Sequence, residues 1–124
     1  MKLLRFGVKG QEKPGILDQD GNIRDLSTVV SDIDGPVLAT ELDKIRALDL
    51  STLPKVDADV RIGACVNNIG KFICIGLNYS DHAAETGAEV PDEPVVFNKW
   101  TSAVVGPNDD IEIPRNSFKT DWEV

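Results

Sequence analysis

Histidine occurs once in this 124-residue chain, at His82, and cysteine only twice, at Cys65 and Cys74. Two thiols without a CxxC spacing, plus one imidazole, do not make a zinc site, whose tetrahedral shell takes four such ligands. Both cysteines lie in apolar runs, "IGACV" and "FICIG", and read as small buried thiols kept reduced, not as a disulfide. Long apolar runs are lacking too. None approaches the roughly 18 residues that a spanning helix needs, so no membrane partner is expected. Basic residues are scarce: thirteen stand against twenty-one acids, a net charge of -8. That balance repels a phosphate backbone, so nucleic acid is not an expected partner. The start, "MKLLRFGVKGQEKPG", is interrupted by Arg5, Lys9 and Lys13 before the apolar core of a signal peptide develops. Together with reduced thiols, this makes the cytoplasm the expected compartment.

What is present is ordinary globular material, 41% hydrophobic with a mean hydropathy of -0.15, enough for one modest domain or for a small domain and the beginning of another. "KLLRFGV", "PGILD" and "NIRDL" have the character of short strands, with "DQDG" at 18–21 supplying the Asp and Gly of a hairpin turn. Leu38, Leu42, Ile45 and Leu48 recur at helical spacing, which predicts a helix over 39–49 with Thr40 as its N-cap. Residues 49–59, polar and holding Pro54, read as a linker. Beyond it "RIGACV", "KFICIGLN", "PVVFNKW", "SAVVGP" and "DDIEIP" read as strands, interrupted by one short helix over 80–87 that Ser80 or Asp81 caps and Gly87 ends. The expected fold class is therefore α+β. A small N-terminal sheet-plus-helix domain over 1–62 is followed over 63–124 by the start of a mainly β domain.

Chemistry can be sought in two places. In a helix, His82 and Glu85 stand at i and i+3 on one face, where a carboxylate can orient an imidazole and raise its basicity. Such pairs also arise incidentally on exposed helices, and spacing alone does not separate the two cases. In "KTDWEV", Asp121 and Glu123 share one face of a strand, a natural way to offer oxygen ligands to Mg²⁺ or simply a solvated face. The second half, with 4 basic and 10 acidic residues, suits either a cation or solvent. Lys99 and Ser102 could contact an anionic substrate group or lie on the surface. Trp100 and Trp122 suit a core or an interface, and "GPNDD" at 106–110 reads as a turn.

Taken together, "KFICIGLNYSDHAAETG", "EPVVFNKWTSAVVGPND" and "KTDWEV" resemble the opening of the catalytic domain of the fumarylacetoacetate hydrolase family. The head "MKLLRFGVKGQEKPGILD" resembles the small N-terminal domain of its bacterial members. The NYxxHxxE pattern, here Asn78, Tyr79, His82 and Glu85, is specific when it occurs with the later K-T-D-W-E stretch. The resemblance implies that His82 and Glu85 activate water and that Tyr79, Lys99 and Ser102 face substrate. It makes Glu123 the first of three acidic ligands to Mg²⁺ or Mn²⁺. The implied substrate is a 2-keto or diketo acid, either an acylpyruvate or a 2,4-diketo sugar acid, whose carbon–carbon bond is hydrolysed. Lyase, isomerase or decarboxylase chemistry, as in ureidoglycolate lyase-like members, is the alternative, and homodimers are usual. The second and third ligands implied by the family would follow Val124. The expectation is thus a truncated portion of a longer enzyme, inactive alone, or else a non-catalytic binding or assembly remnant.

Overall fold

The N-terminal strands form because alternate residues find two buried faces. In the computed structural model, which describes residues 1–120, β1 (Leu3–Phe6), β2 (Lys13–Leu17) and β3 (Ile23–Asp25) make an antiparallel sheet in the order β1-β2-β3. Leu3 is opposite Ile16, and Leu17 is opposite Ile23. The turn between β2 and β3 is held by the Asp18 carboxylate, which accepts from the backbone N–H groups of Asp20 and Asn22 and from the Arg24 guanidinium.

One face of this sheet contributes Ile16 to a core with Leu26, Val30, Ile33, Val37, Ile45 and Leu53. The other contributes Leu4, Phe6 and Ile23, against which Val56, Val60 and Ile62 pack. The helical segment begins earlier than its apolar spacing predicts. Asp34, not Thr40, is the N-cap: its side chain accepts from Val37 N at 3.0 Å, and Pro36 occupies the first turn, where its missing N–H costs nothing. Helix α1 (Gly35–Thr40) ends at Glu41, and α2 (Leu42–Arg46) follows directly. Thr40 lies inside the helix and donates its hydroxyl to Pro36 O.

Residues 49–59 are not a free linker. A 3-10 turn, Leu50–Thr52, capped by Asp49, leads into buried Leu53, after which Lys55 bridges to Arg24 on the outer edge of β3. The chain then passes to the opposite edge, where Ile62 bridges to Phe6 on β1. A single crossing segment thereby occupies part of both edges, satisfying backbone groups that would otherwise invite pairing with another chain.

Beyond residue 70, β4 (Ile73–Gly76) and β5 (Val95–Asn98) form a two-stranded antiparallel ladder, with α3 (Ser80–Thr86) between them. The fold is α+β, as expected. "SAVVGP" and "DDIEIP" do not form strands; the former begins within a 3-10 turn at Thr101–Ala103. A strand exists only when its backbone finds a partner, and among the described residues these runs have none. "RIGACV" is reduced to the single bridge at Ile62. Cys65 is exposed and Cys74 half-buried, both free, which corrects the expectation of two buried thiols. Trp100 is 80% exposed and belongs to no core.

Candidate active site

Helix α3 is entered through an unusual backbone. Leu77 has φ 48°, a left-handed conformation that costs a branched L-residue about 1–2 kcal/mol. It turns the chain out of β4 and into the helix. Tyr79, extended at φ -124°, is the N-cap residue without a side-chain cap bond, so neither Ser80 nor Asp81 has the capping role expected of it. Asp81 lies in the first turn, and its carboxylate accepts from His82 N at 2.9 Å. At the other end Gly87, φ 69°, adopts the left-handed stop, and Ala88 N reaches back to Ala83 O at 2.8 Å. Thr86 closes the last turn by donating its hydroxyl to His82 O and Ala83 O.

Within α3 only Ala83 is buried. Its neighbours on either side of the helix face water, and among them His82 and Glu85 meet: His82 Nδ1 lies 3.8 Å from Glu85 Oε2. That is one helical turn apart and slightly beyond hydrogen-bond length. Catalytic contacts are commonly loose before substrate arrives and tighten in the complex. Nδ1 is the ring nitrogen that lies toward the carboxylate. The side chains are 54% and 82% exposed, so solvent screens the pair until something covers it.

The other candidates are distributed by the β4–β5 register. Tyr79, exposed, follows the Gly76 end of β4 and is the N-cap residue of α3. Lys99 and Ser102 follow the Asn98 end of β5, which pairs with Ile73 at the start of β4. Four ladder residues, about 10 Å at a strand rise of roughly 3.4 Å, therefore separate the α3 side from the Lys99 side. Lys99 donates its backbone N–H to Phe72 O at 3.0 Å, and Ser102 is exposed in the 3-10 turn. Glu123 lies outside the described residues. Among the described residues no group of three or more His, Cys, Asp or Glu is placed to hold a metal ion. The residue that sequence reasoning missed is Leu77, because nothing in a leucine announces a positive φ.

Residues 71–124 match the fumarylacetoacetate (FAA) hydrolase C-terminal family. The chain is 65% identical to a protein of Burkholderia lata over 125 residues. It is 66% identical to one of Burkholderia multivorans and 65% to one of Burkholderia ambifaria over the same length. Each bears the name "putative hydrolase", and each match covers all of this chain and 44% of the relative. The chain thus spans less than half the length of these curated relatives. The NYxxHxxE pattern of α3 lies inside the matched region, so the part of this chain that resembles the fumarylacetoacetate hydrolase family is the part that carries His82 and Glu85.

Proposed function

We propose that this chain supplies the water-activating half of a hydrolase that cleaves a carbon–carbon bond in an acylpyruvate or 2,4-diketo sugar acid. The observation that carries the reading is the His82–Glu85 pair on a helix entered through a strained Leu77. Strain of this kind persists where the surrounding structure holds it, and it clusters at functional sites. In the proposed reaction Glu85 holds the His82 ring. His82 takes a proton from water, and the resulting hydroxide adds to the substrate carbonyl. The bond between that carbon and its neighbour then breaks, and the electron pair leaves as an enolate. Tyr79 stands beside this event. Lys99 and Ser102 approach the substrate from the other end of the ladder, reaching its carboxylate.

The family reading includes a divalent metal, Mg²⁺ or Mn²⁺. Among the described residues no group of acids, histidine or cysteines composes a site for it. This chain's contribution would be Glu123, and the 124-residue chain alone is expected to bind Mg²⁺ weakly and to turn over no substrate. The division into a small unit over 1–62 and the first portion of a catalytic domain over 63–124 is part of the proposal, as are a cytoplasmic setting and a homodimer. Among the described residues no helix is long and apolar enough to cross a membrane.

The test is a chimera joining residues 1–124 to the part of the Burkholderia lata relative outside the match. Hydrolysis of an acylpyruvate that requires added Mg²⁺ is the expected outcome; a folded chimera without such turnover contradicts the reading. A second reading is favoured by the exposed apolar residues of the ladder, Ile73, Ile75, Val95, Val96 and Phe97, which suit a binding or assembly module. Self-association of an inactive chimera would support it.

A further inference from the structure

The turn at Gly106–Asp109 is fastened to the N-terminal sheet by a clamp that neither the family nor the site reading uses. Arg61 lies where the crossing segment reaches β1. Its Nε and Nη2 donate to Asp109 Oδ1 and Oδ2 at 2.7 and 2.6 Å, a parallel fork on one carboxylate. Its Nη1 donates to Glu12 Oε1 at 2.9 Å and to Gly7 O at 3.1 Å. Glu12 lies 3.6 Å from Arg5, which in turn holds Asp32 at 2.6 Å, and Asp32 accepts from Asn67 at 2.7 Å. The charged chain thus runs from Asp32, before the helix entry, through Arg5 and Glu12 of the first hairpin to Arg61, and ends on the turn.

The fit of the turn is backbone against backbone. A Cβ at Gly106 would collide with the carbonyl oxygen of Ile62 and lie 3.1 Å from Gly63 Cα. The Asp109 carboxylate that Arg61 holds also accepts from Gly106 N at 2.7 Å, so one side chain closes the turn and docks it. Immediately before this turn come Lys99 and Ser102. Within this segment of the second half, Gly106 is the buried residue.

We propose that Arg61 is a positioning residue, and that its clamp on Asp109 and Glu12 sets where the Lys99–Val105 segment sits relative to the N-terminal sheet. Its link to substrate rests on the proposed roles of Lys99 and Ser102; the clamp itself does not. A lysine in place of Arg61 keeps the charge but not the fork. Gly106 is required because the turn approaches too closely for any side chain.

The experiment is amide hydrogen exchange on the 124-residue chain, which involves no substrate and so separates failure of the clamp from failure of the site assignment. In Arg61→Met and Asp109→Asn, exchange at Ala103, Val104, Gly106 and Asp109 should rise at least tenfold while Leu17 and Leu26 in the N-terminal unit stay unchanged. Arg61→Lys should restore part of the protection. Unchanged exchange at the turn in both variants overturns the proposal. So does a rise of equal size at Leu17 and Leu26, or an Arg61→Lys profile no different from Arg61→Met.

Discussion

At the residue scale, the carboxylates that shape the fold are those with cationic partners. Burial pushes the Asp18 carboxyl up, but hydrogen bonds from Asn22 N and the Arg24 guanidinium outweigh it and bring its pKa down from 3.8 to about 2. Asp109 is likewise held at about 2, first by Arg61 and then by Gly106 N. An unfolded aspartate keeps its ordinary value near 3.8. Each group therefore stabilises the fold fully above that value and loses its contribution as pH falls through about 2. Urea unfolding followed from pH 5 to pH 2 should show stability falling between about 4 and 2, with a shallower fall in Asp18→Asn. Arg5 is a different case, a guanidinium buried between Asp32 and Glu12. Arg5→Met leaves Asp32 without its cation, while Glu12 keeps Arg61, and should cost about 3–5 kcal/mol, read as a lower urea midpoint. The Arg5–Asp32 and Arg61–Asp109 pairings are not legible in the sequence, since their partners are 27 and 48 residues apart. Charge spacing reports only neighbours on one element, which is why His82 and Glu85 could be found and the Arg61 clamp could not.

Elements whose signals are local were the readable ones. The three N-terminal strands and their Asp-Gly turn follow from alternation and turn chemistry, and Gly87 marks the end of α3 by its freedom at positive φ. The start of α1 was misplaced because the Asp34-Gly-Pro36 signal precedes the apolar spacing. A capping carboxylate one turn upstream decided where the helix begins. Asp34→Ala should therefore destabilise the N-terminal unit by about 1 kcal/mol, whereas Thr40→Ala, inside the helix, should cost less; thermal unfolding distinguishes them. Leu26→Ala empties a fully buried position in the same unit and should cost about 2–5 kcal/mol. The unformed strands failed for a reason no local pattern carries. "DDIEIP" alternates correctly, yet pairing depends on a partner elsewhere, and among the described residues Ile111 and Ile113 remain exposed.

At the scale of the whole molecule the two halves differ in how well their apolar residues are covered. The N-terminal unit buries both faces of its sheet, whereas most large exposed hydrophobic residues, from Phe72 to Phe118, lie beyond residue 70. Relatives more than twice as long as the matched region fit that asymmetry. The central claim is that His82 is the base and takes no part in holding metal. The most direct measurement replaces His82 by Ala in the chimera with the Burkholderia lata remainder and reads both kcat on an acylpyruvate and Mg²⁺ affinity by calorimetry. The account predicts that kcat falls by about 10²–10⁴ with Mg²⁺ affinity unchanged. Undiminished turnover, or loss of Mg²⁺ binding on that single substitution, would contradict it.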